Sequence, residues 1–180
     1  MAAHPLPEGI ETERLCLRRP RLADAPALFR AYAQDPDVCR FMIWTPHASE
    51  AMTLDFITAC IEAWNSGQRF SYVITERASD AAIGMIEARL LGGTVDIGYV
   101  LAQAHWGQGL MPEAIAAVTG ATLERPAFFR VQATCDVENL PSQRALEKSG
   151  FHREGRLERY TVHPNLSPEP RACFMYAKCR

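Results

Sequence analysis

Between residues 94 and 124 an apolar strand pattern breaks at Ala104-His105-Trp106-Gly107-Gln108-Gly109-Leu110-Met111-Pro112-Glu113 and resumes as a helix rich in small residues. Two glycines let the backbone turn tightly and aim successive N–H groups outward, while the helix that follows points its positive end at the same place. The segment reads as an anion cradle. It also constrains the fold, because residues 129–137 form the clearest strand of the chain: Phe129, Val131, Ala133, Cys135 and Val137 alternate with Arg130, Gln132, Thr134 and Asp136. A helix separates this strand from the one at 94–101, so the two are expected to run parallel.

A phosphate-bearing ligand is the simplest occupant of the cradle. The dinucleotide fingerprint G-x-G-x-x-G fails at Pro112 and should open the first strand–helix unit, whereas this loop comes past the middle of the chain. No G-x-x-x-x-G-K-[ST] run occurs, so nucleoside-triphosphate chemistry lacks its main support. A lone G-x-G is compatible with an ordinary turn before a helix, and its context has to decide.

The rest of the chain alternates continuously between strands and helices. A first strand is expected at 14–18 and a first helix after Asp24, with Pro26 in its opening turn. A second helix spans 49–64, where Phe56, Cys60 and Ala63, with Ile57, Ile61 and Trp64 beside them, recur at helical spacing and read as core. Strands at 70–76, 83–91 and 94–101 follow, joined by turns at Ala78-Ser79-Asp80 and Gly92-Gly93. After the cradle, Pro112 suits a first helical turn, and the small residues behind it allow close packing on a sheet. A short fourth helix at 141–149 stops at Gly150, and two last strands, near 155–162 and 172–179, flank a Pro-containing loop at 163–170.

At 180 residues and 48% hydrophobic, the chain suits one domain spanning 1–180 with a full core. A net charge of −2 with scattered Lys and Arg leaves no basic stripe, which argues against direct nucleic-acid binding. The start, Met1 to Pro7, lacks a charged and an apolar region of the signal-peptide kind, and no apolar run is long enough to span a bilayer, so a cytoplasmic, non-membrane protein is expected. Six cysteines without C-x-x-C read as small hydrophobes with one exposed exception near the carboxyl end, and five histidines without an H-x-x-x-H pair give no metal template.

Taken together, these motifs resemble the GNAT superfamily of acyl-CoA-dependent N-acetyltransferases. Its loop signature [QR]-x-x-G-x-[GA] matches residues 104–109 except for Ala104, a departure that removes one side chain and leaves the backbone cradle. Glu13-Arg14-Leu15, Arg40-Phe41-Met42, Trp44-Thr45-Pro46-His47, Ile97-Gly98-Tyr99, Asn139-Leu140-Pro141-Ser142, Gly150-Phe151 and Glu154-Gly155 resemble the branch containing the ribosomal-protein N-terminal acetyltransferases. The resemblance implies an α/β (α+β) fold: a mixed seven-stranded sheet splayed between strands 4 and 5, flanked by four helices, in the order β1-α1-α2-β2-β3-β4-α3-β5-α4-β6-β7.

It also implies that the parallel strands separate after Leu101, that Val100 and Leu101 bind pantetheine through their backbones, and that Trp106, Gly107, Gln108, Gly109, Leu110 and Met111 cradle the pyrophosphate of acetyl-CoA. Asn139 and Ser142 are placed across the gap, and Arg144 or Lys148 contact nucleotide phosphates or form a plain solvated face. Many members protonate the leaving thiolate with a tyrosine seven residues after the motif asparagine; here that place is Leu146, which moves the role to Ser142 or leaves Ser142 a helix-start residue. For the base, Glu87 in an otherwise apolar strand is preferred over Asp96, the alternative being a surface partner for an arginine.

The implied reaction moves an acetyl group from acetyl-CoA, with no metal, to a primary amine, most simply a protein or peptide N-terminal α-amine. The acceptor would lie between the turn at 40–47 and the late loop at 160–170, where Trp44, His47 and Tyr160 offer aromatic and hydrogen-bonding surface. The alternatives are a small-molecule amine acceptor or a non-catalytic acyl-CoA-binding module, with the protein a monomer or homodimer.

Overall fold

The computed structural model describes residues 4–180; Met1, Ala2 and Ala3, the beginning of the amino-terminal segment read above, lie outside the described residues. Eight strands form one sheet: β1 (Gly9–Glu11), β2 (Leu15–Arg18), β3 (Arg69–Glu76), β4 (Ala82–Leu91), β5 (Thr94–Leu101), β6 (Arg130–Asp136), β7 (His152–Val162) and β8 (Pro170–Cys179). Their order is β1-β2-β3-β4-β5-β6-β8-β7. The strand beyond the seven expected is β1, a three-residue edge paired with β2 from Gly9 opposite Arg18 to Glu11 opposite Cys16, too short to show alternation in sequence.

Five α-helical segments accompany the sheet: α1 (Ala25–Leu28), α2 (Pro36–Cys39), α3 (Glu50–Ser66), α4 (Leu110–Leu123) and α5 (Leu140–Lys148). The first expected helix is composite, a 3-10 turn at Leu22–Asp24, the α-turn and a π-turn at Phe29–Ala33. The single turn α2 was not anticipated; Asp35 caps it by accepting from the N–H groups of Asp37 and Val38. Gly67 and Gly150 follow α3 and α5 at φ of +72° and +81°, the left-handed conformation that ends helices without a Cβ penalty.

Strand alternation divides the core between two faces. Phe70, Tyr72, Ile74, Ile86, Val95 and Ile97 pack with Ile115, Val118 and Leu146 of α4 and α5. On the other face Val73 and Met85 pack with Leu28, Tyr32, Ile57 and Cys60. Each such side chain contributes about 1.5–3 kcal/mol on burial. Phe129 departs from the alternation: the backbone turn from Arg125 to Phe128 sends Phe128 inward, and Phe129 is 61% exposed beneath the Arg180 guanidinium. Cys39, Cys60, Cys135 and Cys173 are buried, Cys16 is half-buried and Cys179 is exposed. No helix among the described residues is long and apolar enough to cross a membrane.

Among the described residues the contact between β5 and β6 is the only parallel one in the sheet, and it is short. Thr94 faces Arg130, Val95 faces Val131 and Asp96 faces Gln132, and no later pair forms. The separation therefore begins after Asp96, five residues earlier than expected. Each strand stays with its outer neighbour, β5 along β4 as far as Leu101 opposite Gly84, and β6 along β8 as far as Asp136 opposite Cys173. Held from outside, the two diverge and leave a V.

Gly84 permits the close approach at the open end of β5. A Cβ there would stand 2.4 Å from the Val100 carbonyl oxygen and 3.1 Å from the Leu101 Cα, both backbone atoms. Gly120, on the exposed side of α4, would meet nothing. Gly84→Ala is expected to destabilise by about 1–3 kcal/mol, the usual cost of overpacking, whereas Gly120→Ala should be stabilising by about 0.4–1 kcal/mol. Chemical unfolding of both variants checks this; equal midpoints would remove the close approach as the reason for glycine at 84.

Candidate active site

The open V is lined by backbone on one side. The N–H of Ala102 donates to the Ile83 carbonyl at 2.8 Å, and the alternation of an antiparallel ladder then turns the polar groups of Val100 towards Met85 and those of Tyr99 and Leu101 away from β4. The Leu101 carbonyl accepts from the Trp106 indole N–H at 2.8 Å, which ties the strand end to the loop. Val100 packs its side chain on the α3 face and Tyr99 on the α4 face.

The glycine loop follows a 3-10 turn, Gln103–His105, and delivers the chain into α4. Gly107 and Gly109 both sit at φ +76°, and Gly109 is the helix N-cap. From Gly107 to Met111 no backbone N–H donates to a protein acceptor among the described residues, Pro112 has no N–H, and the first helical bond runs from Glu113 to Gly109. Five consecutive donors at the positive end of a 14-residue helix make an anion site from backbone alone. Leu110 and Met111 meanwhile bury their side chains beneath it.

Two residues face each other across the V. Asn139 caps α5 by accepting from the Ser142 N–H at 3.2 Å, and this places the Ser142 hydroxyl 2.8 Å from the Tyr99 hydroxyl. Burial pushes the Tyr99 phenol well above its ordinary pKa, with the Ser142 hydrogen bond a smaller opposing effect, so its proton stays on at neutral pH. Sequence reasoning missed Tyr99 as a site residue. Leu146 is fully buried in the core between α4, α5 and the sheet, so that position contributes packing. Arg144 and Lys148 are exposed on α5.

Glu87 and Asp96 lie on the α3 face and share one arginine. The Glu87 carboxylate accepts from Arg89 at 2.9 Å and from the Ser71 hydroxyl at 2.9 Å, with Arg69 at 3.4 Å. Asp96 accepts from both Nε and Nη2 of the same Arg89. The pair of carboxylates and two guanidiniums forms a cross-strand ion network in which every Glu87 oxygen already has a donor.

On the expected acceptor side the structure brings the two segments together. The Asn165 side-chain amide donates to the Cys39 and Trp44 carbonyls at 2.6 and 2.8 Å, tying the late loop to the turn after α2. Trp44 and His47 stack obliquely at 5.2 Å, with Tyr32 and Phe56 continuing the aromatic cluster. The His47 Nδ1 lies 2.8 Å from the Thr53 hydroxyl, and burial lowers its pKa, so the ring is neutral at pH 7. Tyr160 stands apart from this cluster's packing, 52% exposed on β7. Among the described residues no group of His, Cys, Asp or Glu is arranged to hold a metal ion.

The sequence matches the Acetyltransferase (GNAT) domain family over residues 14–152. It is 33% identical over 158 residues to the uncharacterized N-acetyltransferase p20 of Bacillus licheniformis, covering 85% of this chain and 87% of that protein. The fold is similar to the crystal structure of a GNAT-family acetyltransferase from Bacillus anthracis, with a TM-score of 0.83, 26% identity and coverage of 95% and 98% of the two chains. It is similar also to RimL, the ribosomal L7/L12 alpha-N-protein acetyltransferase, in complex with coenzyme A, with a TM-score of 0.84, 22% identity and coverage of 96% and 98%. The cradle, the splayed parallel strands and these matches agree: the chain belongs to the GNAT family and is an acetyltransferase.

Proposed function

We propose that the protein transfers an acetyl group from acetyl-CoA to a primary amine, and that the preferred acceptor is a protein or peptide N-terminal α-amine. The observation that carries the cofactor half is the run of five unpaired N–H groups from Gly107 to Met111 at the start of α4. A helix N-terminus offers an anion only about 0.3–1 kcal/mol, up to about 2 kcal/mol when partly buried. Hydrogen bonds from the loop and from the free backbone groups of Tyr99 and the Leu101 N–H supply the remainder, the former to a pyrophosphate and the latter to pantetheine amides. Bound acetyl-CoA supplies the activated thioester carbonyl.

The residues of the chain then handle orientation and protons. The amine nitrogen attacks the carbonyl carbon, the C–S bond breaks, and the departing sulfur needs one proton. Ser142 supplies that proton on this reading, and its hydrogen bond with the Tyr99 hydroxyl restricts the direction of its own hydroxyl. The amine must lose a proton as well. At pH 7 an α-amine with a pKa near 7.7–8.0 is already roughly a tenth to a sixth neutral, so water suffices, and Glu87, each of whose oxygens already accepts a hydrogen bond, serves to hold β4, β5 and Arg89 in register. RimL, named for α-N acetylation of a ribosomal protein, lends its acceptor class to this reading.

Thiol release from acetyl-CoA with a panel of peptides bearing free N-termini, polyamines, amino acids and aminoglycosides tests the proposal. Peptides should give the highest kcat/KM; turnover confined to one small amine would replace the acceptor assignment. Ser142→Ala should lower kcat about 10- to 100-fold, at or below the lower end for acid–base groups. Tyr99→Phe should lower it less, and the double variant should be no worse than Ser142→Ala by more than about twofold, since both act through one hydroxyl. Additive losses would separate Tyr99 from Ser142.

Glu87→Gln should lower the melting temperature and reduce kcat/KM by a factor that stays flat between pH 6 and 9. A deficit greatest at pH 6–7 that shrinks as the acceptor amine deprotonates would instead identify Glu87 as the base, directly or through water.

A further inference from the structure

Resting on the acetyl-CoA reading above, we infer that Arg14 is a positioning residue of the cofactor cradle, pinning the Gln108–Gly109 peptide and neutralising Glu113 so that the loop's N–H groups stay aimed at a pyrophosphate. Arg14 lies in the turn between β1 and β2, 94 residues before the loop it touches. Its Nη1 donates to the Gln108 carbonyl at 2.9 Å, and its Nη2 would be 3.6 Å from a Cβ on Gly109.

The peptide unit is planar and trans, so the Gln108 carbonyl and the Gly109 N–H point in opposite directions. Holding the oxygen against Arg14 aims the N–H to the other side, among its unpaired neighbours. Gly109 reaches φ +76° because it has no Cβ, and the same freedom would let the 108–109 peptide turn over at little cost. The guanidinium selects one orientation.

The second part of the role is charge. Glu113 stands in the first turn of α4, where its carboxylate would repel an incoming pyrophosphate. Four donors from the β1–β2 turn hold it: the Thr12 hydroxyl at 2.6 Å and the Arg14 N–H at 3.0 Å on one oxygen, and Arg14 Nε at 2.7 Å and Nη2 at 2.6 Å on the other. Partial burial works against ionisation of Glu113, but these hydrogen bonds outweigh it and lower its pKa, so the carboxylate is charged at neutral pH and depends on Arg14 for compensation. The Arg14 side chain is 47% exposed, which leaves its outer edge beside the cradle.

A pin of this kind matters to ligands that carry a pyrophosphate and not to those that lack one. The test compares CoA affinity by calorimetry and kcat/KM for acetyl-CoA and for S-acetyl-pantetheine, which has the thioester without the pyrophosphate, in wild type, Arg14→Ala and Arg14→Lys. Arg14→Ala should weaken CoA binding tenfold or more and reduce kcat/KM for acetyl-CoA in proportion, while kcat/KM for S-acetyl-pantetheine stays within about twofold. Arg14→Lys, which keeps a charge for Glu113 but offers no second fixed donor to Gln108, should show an intermediate loss with the same selectivity, and it decides the matter if the alanine variant does not fold. Equal losses for the two thioesters would make Arg14 a structural staple, and unchanged CoA affinity would likewise overturn the inference. Wild-type protein that binds no CoA would strike the acetyl-CoA reading itself, a result distinct from either.

Discussion

The early end of the β5–β6 pairing is the constraint on which the other features depend. Three residue pairs hold the two halves of the sheet together, and past Asp96 each strand follows its outer neighbour. Backbone groups that would have met across the ladder are left without it, and buried groups of that kind require partners. The chain satisfies one of them itself, the Leu101 carbonyl through the Trp106 indole, and spans the gap once more with the hydrogen-bonded hydroxyls of Tyr99 and Ser142. The glycine loop lies where the widening strand turns into α4, so its free donors and those of β5 face one continuous trough.

Charge is distributed to suit that trough. The carboxylates nearest the loop and the strands are compensated locally, Glu113 by Arg14 and Glu87 and Asp96 by Arg89, so that none presents a naked negative charge to an anionic ligand. Exposed ion pairs contribute little stability, about 0–1 kcal/mol, and their value here is directional: each fixes a peptide or strand that borders the site.

How much of this was legible in the sequence follows from the range of the interactions. The β6 alternation, the parallel crossover, the stop at Gly150 and the glycine cradle are local patterns, and the structure carries them at nearly the expected positions. The point of strand separation was misplaced because it depends on outer neighbours distant in sequence. Phe129 departs from the pattern because the turn at Arg125–Phe128 ends just before it, so it precedes β6 and does not share the alternation that Val131, Ala133 and Cys135 keep. Tyr99 lies within the motif Ile97-Gly98-Tyr99, but its role is not legible there, since its partner is 43 residues away on another element. The signal that could have found it was the missing tyrosine at Leu146: a hydroxyl absent from one wall of a cleft invites a search of the opposite wall. Arg14 and Glu113 gave no local sign of each other at all.

The Asn165 amide has a consequence for how such an enzyme changes its preferences. It joins the late loop to the carbonyls of Cys39 and Trp44, so the two segments on the acceptor side behave as one clasp mounted outside the sheet. The trough beside β5, the glycine loop and α5 takes no part in the Asn165 hydrogen bonds, and its one link to the clasp is the apolar cluster that holds both Val100 and Trp44. If the clasp meets the acceptor as proposed, a substitution there reaches the donor side only through the apolar cluster that Trp44 shares with Val100 and Ala102 of the β5 end.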